Sequence, residues 1–125
     1  MGLFNREPKE QHRQWPVTLD QLFEDPVAYH DKRILLEKVT VEQIVPGYDD
    51  GETALMVSSE GSKHKALVYA YRSANVIARF TKPQDTVTII TGRFYDEKLM
   101  GGIEPSHIEA YRIKNHNLEA GGLQH

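Results

Sequence analysis

Lysine and tyrosine alternate with small apolar residues in the segment 63–71, which reads Lys-His-Lys-Ala-Leu-Val-Tyr-Ala-Tyr. Because successive side chains of a β-strand point to opposite faces, the lysines and tyrosines would share one face. Cationic side chains follow the phosphates of single-stranded nucleic acid, and aromatic rings stack on its bases. The alternation therefore predicts a strand whose outer face binds single-stranded DNA or RNA. It is also typical of a half-exposed sheet in which tyrosines pack partly buried, with only the hydroxyl in water.

The charges around this segment are segregated along the chain. Residues 63–82 include lysine and arginine but no acidic residue, whereas residues 39–62 include aspartate and glutamate but no basic residue. A second group of cationic and aromatic side chains lies later in the chain. Arg93 and Tyr95 are two positions apart and would share one face of a strand, and Lys98 follows in the next loop. The predicted nucleic-acid-binding residues are Lys63, Lys65, Tyr69, Tyr71, Arg72, Arg93, Tyr95 and Lys98.

Catalytic, metal and nucleotide-hydrolysis motifs are missing from the sequence. There is no cysteine, and the six histidines show neither an i,i+4 pair nor a His-x-His motif. The acidic stretch 49–52 lacks the spacing of a calcium-binding loop, and no glycine-rich phosphate motif is present. We therefore expect a protein that is not an enzyme and that needs no metal and no cofactor.

Composition predicts one globular domain. The chain has 125 residues, 39% of them hydrophobic, and a formal net charge of −3, which excludes coating of DNA by bulk positive charge. No apolar run approaches the roughly 20 residues of a membrane helix, and the N-terminus lacks a signal-peptide core. We expect a cytoplasmic protein with no membrane partner, organised as an N-terminal tail (1–16), a domain (17–114) and a C-terminal tail (115–125). Trp15 is the exception within the tail, because we expect its ring to pack on the domain.

The first part of the predicted domain combines a capped helix with a long, bent strand. Thr18 and Gln21 form a capping box, Leu19, Leu22 and Phe23 share a helix face, and Asp25-Pro26 ends the helix. The segment 31–45 then has the composition of a strand, but its apolar residues change parity near Glu37-Lys38. One inserted residue has this effect, so the pattern predicts a β-bulge.

Four further strands and one helix follow. Strands are predicted at 53–59, 63–71, 85–95 and 107–113, and a helix at 73–80 with Ser73 as its N-cap. Five strands with a helix between the third and fourth is the element order of the OB-fold, an all-β Greek-key barrel. An SH3-like barrel is the main structural rival, but it does not predict the helix at 73–80.

Two segments carry a resemblance to a known family. After a short helix, the chain resembles the lead-in to the first strand of small bacterial OB-fold domains over Asp25-Pro26-Val27-Ala28-Tyr29-His30-Asp31-Lys32-Arg33-Ile34. It resembles their fourth strand over Pro83-Gln84-Asp85-Thr86-Val87-Thr88-Ile89-Ile90-Thr91-Gly92-Arg93-Phe94. The resemblance covers about residues 17–114 and departs at Gln84, where many relatives have glycine. It implies a stand-alone domain of the type that binds single-stranded nucleic acid or tRNA anticodons.

The sequence therefore predicts a non-enzymatic module that binds single-stranded DNA or RNA with little base selectivity. The alternative is an OB-fold domain that contacts another protein, or its own copy through an edge strand or Trp15, without binding nucleic acid. The outer face of the segment 63–71 and salt-dependent binding of oligonucleotides discriminate between the two.

Overall fold

The computed structural model describes residues 14–119, which form six strands and four short helices. In chain order these are β1 (Trp15–Val17), α1 (Leu19–Glu24), α2 (Pro26–Tyr29), β2 (Lys32–Pro46), β3 (Thr53–Ser58), β4 (Lys65–Ala70), α3 (Ser73–Phe80), β5 (Thr86–Tyr95), β6 (His107–Asn115) and α4 (His116–Glu119). Within this range, no helix has the length and apolar content needed to span a membrane.

Strands β2 to β6 close into a barrel. β2 pairs with β3, and β3 with β4, in antiparallel hairpins, whereas β4 pairs with β6 in parallel. β5 pairs antiparallel with both β6 and β2, and the second pairing closes the ring. This topology, with α3 between β4 and β5, is that of an all-β OB-fold, and the predicted fold is confirmed.

The predicted bulge in the long first barrel strand, β2, is confirmed. Leu36 pairs with Ile89 and Val39 with Val87, so two residues of β2 lie opposite one residue of β5. Lys38 has a φ of 49°, and its backbone N–H donates to Thr88 Oγ1 at 3.1 Å instead of to a strand carbonyl. The inserted residue bends β2, which allows it to pair with β3 and with β5.

The barrel interior is filled by the alternate residues of each strand. On β4, Ala66, Val68 and Ala70 are buried, as the predicted parity requires. Helix α1 begins at the predicted capping box, in which Thr18 Oγ1 accepts from the Gln21 N–H at 3.1 Å. Its buried Leu19 and Leu22 belong to the same hydrophobic core as the strands.

The described residues include short elements on both sides of the predicted limits 17 and 114. Trp15–Val17, which the sequence assigned partly to the N-terminal tail, pairs in parallel with Ile34–Leu36. At the other end, the buried Asn115 Nδ2 donates to Thr81 Oγ1 and Asp85 Oδ2, both at 3.0 Å, and thereby extends β6 to this residue. Residues 1–13 and 120–125 of the predicted tails lie outside the described residues.

The prediction that Ser73 is the N-cap of α3 is wrong. The N-cap is Arg72, which has a φ of 55° and makes no capping hydrogen bond with its side chain. Ser73 is the first residue of the helix, and its hydroxyl donates to the Tyr111 carbonyl oxygen on β6 at 3.0 Å. The serine therefore attaches α3 to the neighbouring strand.

Candidate nucleic-acid interface

Five aromatic rings form a continuous row across the outer face of β4, β6 and β5. The ring centroids of Tyr48 and Tyr69 are 5.9 Å apart, and those of Tyr69 and His107 are 5.0 Å apart. His107 is 5.5 Å from Tyr95, and Tyr95 is 5.9 Å from His30. We call these five rings the aromatic row. Its exposed or half-buried rings, those of Tyr48, Tyr69, Tyr95 and His30, form a surface of the kind on which nucleic-acid bases stack. The buried His107 packs between Tyr69 and Tyr95.

Strand register explains why these side chains meet. Leu67 pairs with His107 and Tyr69 with Glu109 between β4 and β6, while Tyr95 pairs with His107 between β5 and β6. Paired residues point to the same face of a sheet, and neighbouring strands are only about 4.8 Å apart. Residues distant in sequence are thereby placed side by side on the outer surface of the barrel.

Two loops border the aromatic row at Tyr48. Tyr48 belongs to the β2–β3 loop (47–52), is 61% exposed, and lies beside Glu104 of the β5–β6 loop (96–106). The Glu104 carboxylate raises the pKa of the Tyr48 hydroxyl. Ile103 in the second loop is 85% exposed. These correspond to the two loops that OB-folds use, with the neighbouring strands, to bind oligonucleotides.

A second pair of rings lies on the same strands. Tyr71, which directly follows β4, stacks on Tyr111 of β6 with centroids 5.8 Å apart and an interplanar angle of 28°. Burial, followed by the negative charge of Glu109, raises the pKa of Tyr71 far above its usual range. The same two causes raise the pKa of Tyr95 to about 12. Tyr71 and Tyr95 therefore keep their hydroxyl protons to a higher pH than a phenol in water does.

A carboxylate lies between the aromatic row and the tyrosine pair. Glu109 Oε1 accepts from the Tyr111 hydroxyl at 3.2 Å, and Glu109 Oε2 is 3.4 Å from His107 Nε2. The His107 ring is only 2% exposed, and its Nδ1 donates to the Pro105 carbonyl at 2.9 Å. The Tyr111 hydroxyl thus holds one oxygen of Glu109, and the Glu109 side chain remains 26% exposed at the surface.

The predicted cationic residues surround the rings instead of forming one stripe. Lys65 lies at the start of β4, with its Nζ 3.7 Å from Glu42 Oε1, and Lys63 is exposed in the preceding turn. Arg93 Nη1 contacts the Asp31 carboxylate at 3.1 Å and the Asp31 carbonyl at 2.7 Å. Arg72 is exposed next to Tyr71, and Lys98 is exposed in the β5–β6 loop.

The structure therefore brings together only part of the predicted set. Tyr69, Tyr71, Arg93 and Tyr95 converge on one face. Lys63 and Lys65 lie at the other end of β4 from Tyr71, roughly 20 Å away at the rise of an extended strand. Sequence reasoning missed Tyr48, His107, Glu109 and Tyr111. The last three share one parity in the predicted strand 107–113, so the alternation that singled out β4 applies to β6 as well.

A separate group of potential metal ligands was also missed. Ligand atoms of Asp20, Glu24 and His64 lie within 4.8 Å of one another, although the sequence shows no metal motif. Asp20 Oδ1 accepts from the Ser62 hydroxyl at 2.6 Å, and the His64 ring stacks on Phe23 at 5.2 Å. Two of the three groups therefore already have structural partners within the protein.

Comparison with known proteins identifies the fold but no family. No protein-family model and no curated protein sequence matches the chain. Among solved structures, the chain is similar to fission yeast Pot1 in a structure with ssDNA, with a TM-score of 0.53 and 12% identity over 72% of this chain and 37% of that one. It is also similar to Pot1pC of Schizosaccharomyces pombe bound to ssDNA, with a TM-score of 0.51 and 13% identity over 72% of this chain and 82% of that one.

A third similar structure belongs to a different kind of protein. It is a putative aspartyl-tRNA synthetase from Leishmania major Friedlin, with a TM-score of 0.58 and 8% identity over 83% of this chain and 21% of that one. The chain thus spans well under half the length of the first Pot1 chain and of the synthetase. At these identities the likeness shows the OB-fold alone.

Proposed function

We propose that this protein is a non-enzymatic module that binds single-stranded nucleic acid on the outer face of β4, β6 and β5. The observation that carries the proposal is the aromatic row, in which each ring lies within 5.9 Å of the next. Stacking is available to every base, because every base has a π-face. The fission yeast Pot1 structures, which share the fold, contain single-stranded DNA and support the assignment.

Stacking contributes more to this proposed interface than charge does. The chain has a formal net charge of −3, and Glu109 lies among the rings. Arg93 already contacts the carboxylate of Asp31, and Lys65, at the far end of β4, contacts that of Glu42. The phosphates are therefore expected to run along the border of the face, near Arg72, Arg93 and Lys98, while the bases lie on the rings.

Titration of a labelled oligonucleotide tests the proposal. We expect saturable, micromolar binding of a thymidine strand of about 12 nucleotides at low salt, a length within the site sizes of OB-folds. The same titration with a duplex of that sequence should show much weaker binding, because paired bases do not expose their faces. A folded protein that binds no single strand even at low salt would contradict the proposal.

A protein-contact function is the second candidate, and a different surface favours it. Trp15 is 47% exposed and Val27 is 66% exposed, and a cavity of about 330 Å³ is lined by Trp15, Ala28, Tyr29 and Lys32. Sedimentation of the protein across a concentration series tests for self-association. A dimer that Trp15→Ala dissociates would support this second function. A protein that stays monomeric at all concentrations would exclude self-association.

A further inference from the structure

We propose that Glu109 gives the nucleic-acid face a preference for guanine. The inference rests on the proposed function and extends it, since stacking alone predicts little base selectivity. Glu109 is in register with Tyr69 on one side and with Arg93 on the other, so it lies at the centre of the face. A base stacked on Tyr69, Tyr71 or Tyr111 would have an edge within reach of the Glu109 carboxylate.

The carboxylate keeps free acceptor positions in a fixed orientation. An ionised carboxylate offers about four acceptor positions on its two oxygens. One position on Oε1 is taken by the Tyr111 hydroxyl at 3.2 Å, and one on Oε2 faces His107 Nε2 at 3.4 Å. Each oxygen therefore retains capacity for a further donor. The contact with the phenol hydroxyl, at the outer end of the Tyr111 ring, holds the carboxylate towards the surface.

No lysine or arginine neutralises this carboxylate in the part of the chain that the structure describes. Within residues 14–119, neither residue type lies within 4.0 Å of Glu109, and the His107 contact at 3.4 Å is an ion pair only when the imidazole is protonated. Arg93, which is next to it in register, instead contacts Asp31. Donors from a bound base would therefore complete the hydrogen bonding of an anionic group that the protein leaves accessible.

The chemistry of the four bases then determines the order of preference. Guanine presents two adjacent donors, N1–H and N2–H, which match the two oxygens of a carboxylate. Cytosine and adenine each present one amino group beside a ring acceptor. Thymine and uracil present a single N–H between two carbonyl oxygens, which a carboxylate repels. A bidentate contact of this kind discriminates against the wrong base by about 5- to 150-fold.

Three strands of equal length test the inference: all-thymidine, the same strand with one central guanine, and the same strand with inosine there. Inosine retains N1–H but lacks the N2 amino group. For the unchanged protein we expect the guanine strand to bind at least about 5-fold more tightly than the thymidine strand, with inosine between them. Glu109→Gln should reduce this preference below about 2-fold and leave binding of the thymidine strand equal or tighter, because a negative charge is lost.

Two other variants separate the role of Glu109 from charge and from folding. Glu60→Gln removes the same charge from an exposed turn and should keep the full guanine preference. Tyr111→Phe keeps the stacked ring but removes the hydrogen bond to Oε1, so it should weaken the preference even if Glu109→Gln does not fold. Equal binding of all three strands by the unchanged protein would overturn the inference and leave the proposed function standing. Absence of binding to every strand would overturn both.

Discussion

At the scale of the residue, the rings of the outer face are expected to supply most of the binding free energy. Tyr69 lies between Tyr48 and His107 in the aromatic row, and Tyr71 stacks on Tyr111. We expect Tyr69→Ala or Tyr71→Ala to weaken binding of a thymidine strand by about 1–3 kcal/mol each, the range for a lost stacked base. Tyr69→Phe keeps the ring and should bind within about 0.5 kcal/mol of the unchanged protein. Fluorescence titration measures both, and equal losses in the two Tyr69 variants would assign the effect to the hydroxyl instead of the ring.

The same tyrosines make stability depend on alkaline pH. Burial and Glu109 raise the pKa of Tyr95 to about 12, and they raise the pKa of Tyr71 further, whereas the phenols of the unfolded chain titrate near pH 10. Between these values the unfolded state has lost protons that the folded state keeps, so the free energy of unfolding falls as the pH rises from about 10 to about 12. Urea unfolding at several pH values, with phenolate absorbance recorded in native and unfolded protein, measures this. Glu109→Gln should lower the pKa of Tyr95 only partly, since burial is the larger cause.

Part of the site was predictable residue by residue, and part depended on register. Tyr69, Tyr71, Arg93 and Tyr95 follow from the alternation within single strands. Their neighbours do not, because the pairing of Tyr69 with Glu109 joins residues forty positions apart through a parallel pairing that no local signal encodes. Tyr48 reaches the row from a loop, where side-chain direction has no fixed period. Lys63 and Lys65 were predicted to share the site with the tyrosines because strand parity specifies the face of a side chain but not its distance along the strand.

At the scale of the element, α1 stabilises the barrel through its apolar face. The capping box predicts where this helix begins, and the helical period predicts which of its side chains are buried. Leu22 is fully buried in the common core, and Phe23 lies edge-on to Phe94 at 5.9 Å. We expect Leu22→Ala to reduce the free energy of unfolding by about 2–5 kcal/mol, because it removes buried methyl groups and leaves a cavity. Val27→Ala, at a position 66% exposed, should change stability by less than about 0.5 kcal/mol. Denaturant unfolding of both variants measures these changes in the free energy of unfolding. An equal loss in Leu22→Ala and Val27→Ala would show that α1 does not pack on the barrel.

The turn before β5 contains a strained residue where the sequence departs from the family it resembles. Lys82-Pro83-Gln84-Asp85 is closed by a hydrogen bond from the Asp85 N–H to the Lys82 carbonyl at 3.1 Å, and Gln84 has a φ of 77°. A proline followed by a positive φ is typical of a type II turn, whose third position favours glycine. Glycine at this position relieves the strain and so raises the free energy of unfolding by about 1–2 kcal/mol. Its greater flexibility in the unfolded chain lowers the free energy of unfolding by about 0.4–1 kcal/mol. We therefore expect Gln84→Gly to raise the thermal midpoint slightly and Gln84→Ala, which keeps a Cβ, to leave it unchanged.

The sequence predicted the barrel elements well because each had its own local signal. The bulge follows from the parity change in β2, and α3 follows from its apolar spacing. Three elements had no such signal: β1 has only three residues, and α2 and α4 have four residues each. α2 begins at the proline expected to end α1. β1 exists because its backbone adds to the edge of β2 beside Ile34–Leu36, which is a tertiary pairing. Short elements of this kind depend on the surface against which they form.

At the scale of the whole molecule, the distribution of charge determines how binding responds to salt. The net charge is −3, and the acidic residues Asp49 and Asp50 share the loop of Tyr48. Repulsion of phosphates by this loop should limit affinity at low salt, where screening is weakest. Asp49→Asn with Asp50→Asn should therefore tighten binding of single strands slightly at low salt and converge with the unchanged protein at high salt. Titrations across a salt series measure both regimes.

The salt series also separates the contribution of Lys63 and Lys65 from that of the rings. Each phosphate contact that is lost flattens the slope of log affinity against log salt by about 0.7 for a single strand. If the bound nucleic acid extends beyond the rings to Lys63 and Lys65, then Lys63→Gln combined with Lys65→Gln should lower the affinity for every oligonucleotide sequence. The double change should also flatten the slope of log affinity against log salt. Lys65 contacts Glu42 at 3.7 Å, so its contribution to the slope should be smaller than that of Lys63.

Lys82→Gln is the matched control, because this exposed lysine precedes the start of β5, whereas the aromatic row crosses the end of β5 at Tyr95. Tyr69→Ala should lower affinity with no change in slope, since stacking releases no counterions. A slope that the lysine pair leaves unchanged would confine the bound strand to the rings and to Arg72, Arg93 and Lys98.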